Sequence, residues 1–199
     1  NTRVTHMTVD HELPLTFWRA VGHSYSAFAK ESMIDELAQA AGMDEVAFRL
    51  QNTQNSPRLN NVIRVAGERM ANMKVPAGHH LGFAAHHSFR TDVAEIAEVS
   101  VENGKIRVHK VTCVLDCGQA VNPDIVRSQM EGAVIYGLTA ALYGGLNLEN
   151  GAIKESNFHD YPMLRMSESP EIQVIIIDSG TEPKTHYSYT FNKGRMSIF

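Results

Sequence analysis

The chain has 199 residues, of which 43% are hydrophobic and 20% are charged, and its formal net charge is −4. This composition is typical of a globular protein with a buried core, and the acidic balance does not indicate binding of nucleic acid, which needs a basic surface. No apolar run reaches the roughly 20 residues that a membrane-spanning helix needs. Two cysteines, Cys113 and Cys117, are too few for a disulfide framework or a zinc site. Neither a nucleic-acid partner nor a membrane span is expected, and the compartment stays open.

The first half of the chain predicts one strand followed by three helices. In chain order these elements cover residues 2–9, 26–41, 45–51 and a helix that begins at Ser56-Pro57. The apolar stripe predicted for the first helix consists of Phe28, Met33, Ile34, Leu37, Ala38 and Ala41. The stripe predicted for the third helix consists of Leu59, Val62, Ile63, Ala66 and Met70. Gly42 is the expected end of the first helix, and Asp44 is the expected N-cap of the second.

The second half of the chain predicts strands, with one long helix between them. The predicted strands cover residues 81–89, 93–101, 106–115 and 171–178. Asn103-Gly104 and Asn150-Gly151 are hairpin signals, because both turn positions require positive φ. Asn122 and Pro123 begin the long helix, which ends at Gly144-Gly145. The expected fold class is α+β, with helices packed on antiparallel or mixed sheets.

A first candidate site lies in residues 17–24, with the sequence FWRAVGHS. Arg19 stands among apolar residues, and Gly22 permits positive φ or a close approach of a ligand to the backbone. The helix that follows offers free N–H groups to an anion. The segment therefore indicates a cradle for a phosphate or a pterin, and a surface loop with an exposed arginine is the alternative.

A second candidate site lies in residues 116–123, where a strand ends, turns at Gly118 and leads into the long helix. Turns of this kind line many ligand sites, because the first amides of the helix point outward. One turn into the helix, Gln129 offers an amide to the hydrogen-bonding edge of a ring, and Glu131 follows. A solvated helix face is the alternative.

Histidines occur in two adjacent pairs, which raises the question of a metal site. His86 and His87 lie next to each other in a predicted strand, so their side chains point to opposite faces and do not share one ion. The same pattern recurs at His79-His80. No metal ligand is therefore assigned, and no two carboxylates have a spacing that indicates acid–base catalysis.

Three blocks of the sequence together resemble a known family. They are WRAVGHSYSAFAKESMIDELAQAAGMDEVAFRL, DCGQAVNPDIVRSQMEGAVIYGLTAALYG and SNFHDYPMLRMSESPEI. They resemble, in the same order, blocks of the molybdopterin-binding large subunit of the xanthine dehydrogenase/aldehyde oxidase family, of the isoquinoline 1-oxidoreductase beta-subunit type. The resemblance implies that residues 1–183 form part of a molybdopterin-binding domain and that residues 184–199 are a divergent tail.

The resemblance implies a cofactor, a reaction and a partner. The family binds molybdenum through molybdopterin, often as the cytosine dinucleotide. It inserts a hydroxyl group derived from water into a C–H bond of an aldehyde or an N-heterocycle. Electrons leave through a small subunit with two 2Fe–2S clusters. By the same resemblance Arg19, Gly22, His23 and Gln129 fall at cofactor-facing positions.

The sequence departs from the family pattern at its end. There the family has a glycine-rich segment that ends in Gly-Glu-Pro, whose glutamate is the general base. No glutamate follows Glu182 in this chain, so no catalytic residue is assigned. The chain alone is expected to be inactive, since the family's N-terminal half is also absent. Two alternatives are an active subunit completed by another chain, and a non-enzymatic interaction module that self-associates through exposed apolar faces.

Overall fold

The computed structural model describes residues 18–181, together with Thr5 and Met7. Apart from Thr5 and Met7, the strand predicted over residues 2–9 lies outside the described residues, and so do Glu182 and the tail over residues 184–199. Within the described part of the chain, no helix combines the length and the apolarity needed to cross a lipid bilayer.

The strands between residues 18 and 181 build one four-stranded mixed sheet and one small hairpin. In chain order they are β1 (His79–Ser88), β2 (Thr91–Glu102), β3 (Lys105–Asp116), β4 (Leu148–Glu149), β5 (Ala152–Ile153) and β6 (Glu171–Ile176). The large sheet has the order β1-β2-β3-β6. Strands β1, β2 and β3 form an antiparallel meander, and β6 pairs with β3 in parallel. The parallel pairing requires a crossover, and the chain between β3 and β6 supplies one that contains a long helix.

In the part of the chain that the structure describes, four helices accompany the sheet. They are α1 (His23–Ala40), α2 (Glu45–Asn52), α3 (Pro57–Ala71) and α4 (Pro123–Tyr143), and a single 3-10 turn covers Met166–Glu168. Helix α3 packs on one face of the sheet, α4 packs on the other, and α1 contacts α2 and the edge strand β1. The predicted α+β class with a mixed sheet is confirmed.

The two faces of the sheet hold separate apolar clusters, because successive side chains of a strand point to opposite sides. The cluster under α3 contains Val62, Ile63, Ala66, Phe83, Ala85, Ala94, Ile96 and Val114. The cluster under α4 contains Val93, Val108, Val111, Cys113, Leu115, Cys117, Val126, Met130 and Val134. The central part of the predicted α3 stripe, residues Val62, Ile63 and Ala66, is confirmed as buried.

The local turn and cap signals are also confirmed. Asn103 and Gly104 adopt φ values of 51° and 76°, as a tight hairpin requires. Asp44 caps α2 by accepting hydrogen bonds from the amides of Val46 and Ala47 at 3.0 and 2.9 Å. Gly42 has a φ of 62° just after the end of α1, where a left-handed residue terminates a helix.

The apolar stripe predicted for α1 is wrong for most of its members, although Ala38 is buried and Ile34 is half-buried. Phe28, Met33 and Leu37 are 76%, 55% and 48% exposed, whereas the buried positions are Ala27, Glu31 and Ala38. The helix also begins at His23, three residues before the predicted start. The physical reason is that α1 covers the open edge of β1 rather than a sheet face. Such an edge presents unpaired backbone groups, so it recruits polar side chains instead of apolar ones.

Candidate functional site

The turn at residues 18–22 packs against α4. The ring centroid of Trp18 lies 5.5 Å from that of Tyr136, and the guanidinium carbon of Arg19 lies 5.1 Å from the same Tyr136 centroid. Gln129 precedes Tyr136 by two helical turns, which corresponds to about 10 Å along the axis. The structure therefore brings Arg19 against the helix that carries Gln129, although the two residues are distant in sequence.

Arg19 presents an unsatisfied donor. Its Nε is buried and has no hydrogen-bond partner among the described residues. The Tyr136 ring stabilises the positive charge of the guanidinium. It does not provide an acceptor for the Nε–H group, which points along the guanidinium plane. A buried N–H without an acceptor costs free energy, so the arrangement favours an anionic or strongly accepting ligand at this point.

The sequence left two possibilities for Gly22, a positive φ or a close approach of a ligand to the backbone, and the structure does not show the first of them. Gly22 has a φ of −67°, and the left-handed residues are Ala20 and Val21, with φ of 75° and 51°. Two successive turns impose this geometry, since the Val21 amide donates to the Trp18 carbonyl and the His23 amide donates to the Ala20 carbonyl. A β-branched residue in the left-handed region is strained, and such strain is concentrated at functional sites.

His23, the first residue of α1, is joined to the edge strand β1. Its Nδ1 lies 2.9 Å from Nε2 of His86, and its ring also packs against Phe89 at 5.2 Å. His86 Nδ1 in turn lies 3.2 Å from Nζ of Lys30. Burial, reinforced by the neighbouring charge of Lys30, lowers the pKa of His86 to about 4. His86 is therefore neutral near pH 7 and acts as a hydrogen-bonding group rather than a charge.

Gln129 lies on α4 beside open space. Its side chain is half-buried, whereas Glu131 is exposed. A Cβ built on Gly132 would meet nothing within 4 Å, so the surface of the helix is accessible there. These features leave room for a ligand against α4 between Gln129 and Tyr136.

The N-terminal amides of α4 are not left free, in contrast to the expectation for the second candidate segment. Asn122 Oδ1 accepts hydrogen bonds from the amides of Asp124 and Ile125 at 3.1 and 3.2 Å. Pro123, the first helical residue, has no N–H to offer. The predicted cap is thus confirmed, and it occupies the donors that a ligand would have used.

The segment at residues 116–123 is instead held by a buried carboxylate that the sequence did not single out. Asp116 Oδ1 accepts hydrogen bonds from Arg58 Nη2, the Gly118 amide and Ser179 Oγ at 2.9, 2.8 and 3.0 Å. The Gln119 amide also donates to the Thr181 carbonyl at 3.1 Å. Burial alone would raise the pKa of Asp116, but these hydrogen bonds and the charge of Arg58 hold it below its ordinary value.

His86 and His87 point to opposite sides of β1, as expected from the alternation of side chains along a strand. His86 contacts α1, whereas the Nδ1 of His87 lies 2.7 Å from Asp92 Oδ1. At the other end of the sheet, His79 stacks on His109 with ring centroids 4.1 Å apart. Among the residues that the structure describes, no group of three or more His, Cys, Asp or Glu side chains is arranged to hold a metal ion.

Comparisons with known proteins identify the family. Residues 17–170 match the family model described as a molybdopterin cofactor-binding domain. The chain is 34% identical over 183 residues to the beta subunit of isoquinoline 1-oxidoreductase from Brevundimonas diminuta, a match that covers 89% of this chain and 23% of that protein. It is 30% identical over 200 residues to a subunit of nicotinate dehydrogenase from Pseudomonas putida, covering 89% of this chain and 17% of that protein.

Among solved structures, quinoline 2-oxidoreductase from Pseudomonas putida 86 matches with a TM-score of 0.41 and 22% identity, over 47% of this chain and 12% of that one. The chain spans 23% of the length of the isoquinoline 1-oxidoreductase subunit and 17% of the length of the nicotinate dehydrogenase subunit. The family match nevertheless covers most of the chain, and it includes Arg19, Gly22, His23 and Gln129. The chain belongs to the molybdopterin cofactor-binding domains of the xanthine dehydrogenase/aldehyde oxidase family.

Proposed function

We propose that this chain forms one wall of a molybdopterin site in a molybdenum hydroxylase that oxidises an aldehyde or an N-heterocycle. The observation that carries the proposal is Arg19, whose buried Nε lacks an acceptor among the described residues while its guanidinium rests on Tyr136 of α4. The arginine lies within the residues that match the cofactor-binding family. A pterin with its phosphate groups offers the acceptors that this donor lacks.

The residues around Arg19 fit such a group in charge and in shape. Helix α1 has no side-chain cap at Gly22, so amides of its first turn keep their capacity to donate toward an anion. Gln129 offers both a donor and an acceptor from its amide. The free space at Gly132 allows a flat ring to approach the backbone of α4.

In this proposal each residue binds or orients the cofactor, and no catalytic residue is assigned. Arg19 neutralises negative charge, His23 and the start of α1 donate hydrogen bonds, and Gln129 contacts the edge of the ring. When bound, the molybdenum group supplies the chemistry that transfers a hydroxyl group from water to a C–H carbon. We propose the cytosine dinucleotide as the form of the cofactor.

We also propose that the domain works within a larger assembly, with a 2Fe–2S small subunit as electron acceptor. Both curated relatives are described by their names as subunits of an enzyme. Helix α1 leaves Tyr25, Phe28, Met33 and Leu37 exposed on its outer side. Exposed apolar side chains on this helix support contact with further polypeptide, including a second copy of the chain.

The proposal is tested by the molybdenum and nucleotide content of the chain purified from a host that makes the cofactor. We expect bound molybdenum with a cytosine nucleotide, and a large loss of both in Arg19→Ala. Arg69→Ala is the matched control, because Arg69 is an exposed arginine of α3 far from the turn in sequence. Equal molybdenum content in both variants would contradict the role of Arg19. Absence of molybdenum, together with self-association of the chain, would favour the non-enzymatic interaction module.

A further inference from the structure

A chain of hydrogen bonds runs from Lys30 through His86 to His23. Lys30 Nζ lies 3.2 Å from His86 Nδ1, and His86 Nε2 lies 2.9 Å from His23 Nδ1. The three residues come from α1 and β1, and the contacts between the two elements span 63 and 56 positions in sequence. Both ring nitrogens of His86 and the Nδ1 of His23 each face one defined partner.

The direction of every hydrogen bond follows from the chemistry of Lys30. An ammonium group has three donors and no acceptor. Its three partners are Glu31 Oε1 at 3.0 Å, the Ala85 carbonyl at 3.2 Å and His86 Nδ1 at 3.2 Å. Since all three partners must accept, His86 Nδ1 carries no proton.

The state of His86 then determines the state of His23. Burial and the charge of Lys30 lower the pKa of His86 to about 4, so the ring is neutral near pH 7. A neutral imidazole has one proton, which must lie on Nε2 when Nδ1 accepts. His86 Nε2–H therefore donates to His23 Nδ1, and His23 keeps its own proton on Nε2.

We propose that Lys30 and His86 are positioning residues that fix His23 as the Nε2–H tautomer and direct this donor away from β1. The inference rests on the proposed function for its purpose, which is to present a hydrogen-bond donor to the acceptor atoms of the cofactor. Its physical content concerns the protein alone. Orientation of a ligand-facing histidine by a second partner is a general device, because the bond at one nitrogen determines what the other nitrogen offers.

The test is the tautomeric state of His23 in the full 199-residue chain, measured near pH 7 by nitrogen-15 NMR of labelled histidine side chains. Two-bond nitrogen–proton correlations distinguish a protonated from an unprotonated ring nitrogen. We expect both His23 and His86 as Nε2–H tautomers in the wild-type chain. A proton on His23 Nδ1 would overturn the inference without any variant.

Two substitutions test the direction of the effect. Lys30→Met removes the donor that holds His86, so the His23 signals should change to those of a tautomer mixture. His86→Phe should release His23 in the same way, and it serves if Lys30→Met lowers stability through the lost contact with Glu31. Lys110→Met is the matched control, because Lys110 pairs with Glu171 at 2.7 Å and contacts no histidine of this chain of hydrogen bonds. Unchanged His23 signals in both Lys30→Met and His86→Phe would refute the positioning role.

The NMR test of the His23 tautomer is independent of the test of the proposed function. The NMR measurement needs no bound cofactor, whereas molybdenum content in Arg19→Ala tests the cofactor site. If His23 is a single Nε2–H tautomer but the purified chain holds no molybdenum, only the proposed function is contradicted. If molybdenum is bound and is lost in Arg19→Ala, but His23 is a different tautomer, only the positioning role of Lys30 and His86 is contradicted.

Discussion

The Glu31 carboxylate of α1 and the Arg49 guanidinium of α2 form a buried ion pair, with Arg49 Nε 2.9 Å from Glu31 Oε2. The two residues are only 7% and 2% exposed. The same Oε2 atom accepts a hydrogen bond from the Ala85 amide of β1 at 2.8 Å. One carboxylate thus joins α1, α2 and the edge strand, and it holds the helix that begins with His23.

Glu31→Ala should lower the free energy of unfolding by about 1–3 kcal/mol, because it leaves the Arg49 Nε and the Ala85 amide without their acceptor, whereas the ion pair of Arg49 with Asp35 at 2.7 Å remains. Chemical denaturation measures this change. Glu36→Ala is the control on the same helix, since Glu36 is exposed, and its effect should stay within about 0.5 kcal/mol. Similar losses in the two variants would show that the ion pair does not hold α1.

Gly67→Ala and Gly132→Ala should change stability in opposite directions, although both replace a glycine within a helix. A Cβ on Gly67 would collide with Cγ1 of Val46, so α2 and α3 would have to separate. We expect a loss of about 1–3 kcal/mol from this overpacking. A Cβ on Gly132 meets nothing, so Gly132→Ala should gain up to about 1 kcal/mol from helix propensity. The midpoint of thermal unfolding measures both changes in stability. A lower midpoint in Gly132→Ala would contradict the open space at α4.

Glu95 should make the protein less stable as the pH rises. Its carboxyl group is buried under α4 and contacts the Cys113 thiol, and burial raises its pKa from 4.5 to about 8. Between these values the unfolded chain has released the proton that the folded chain retains. The free energy of unfolding therefore falls with rising pH, by up to about 1.4 kcal/mol per unit for this group.

Glu95→Gln should remove that part of the pH dependence, because the amide does not titrate. Denaturation curves at several pH values measure the slope for both proteins. Glu131→Gln is the control, since Glu131 is exposed on α4. An unchanged slope in Glu95→Gln would mean that Glu95 is not the buried acid responsible.

Arg58→Met should destabilise the fold at neutral pH and make it more sensitive to acid. The bond from Arg58 helps to keep the pKa of Asp116 below 3.8 in the folded protein. A lowered pKa contributes stability that is present above 3.8 and is lost as the pH falls through the folded value. Without Arg58 the buried carboxylate loses its cation, so we expect a loss of about 3–5 kcal/mol and acid unfolding at a higher pH.

Acid titration followed by circular dichroism measures the shift in the midpoint of unfolding for Arg58→Met. Arg64→Met is the control from the same helix, because the ion pair of Arg64 with Glu68 is exposed. Its effect should be below about 1 kcal/mol. Equal acid midpoints for the two variants would argue against the Arg58–Asp116 bond as the element that secures residues 116–123.

Several features of the fold follow from the sequence alone, because they depend on residues that are neighbours in the chain. Asn103 and Gly104 tolerate the positive φ of a tight hairpin, and Asp44 and Asn122 carry the short side chains that cap helices. The spacing of Val62 and its neighbours determines the buried face of α3. The three sequence blocks likewise indicated the family that the comparisons show.

Other features depend on the tertiary structure, because they join residues that only the folding of the sheet brings together. Helical periodicity suggested that Phe28 faces the core, whereas the open edge of β1 selects Glu31 for that position. The pairing of His23 with His86 requires α1 to lie along β1, and no local pattern encodes that neighbour. Arg19 was predicted from its local sequence and from the family resemblance, but its buried Nε and its contact with Tyr136 arise only when the turn packs on α4. Local chemistry determines turns, caps and helix ends, and the order of the strands determines which side chains share a site.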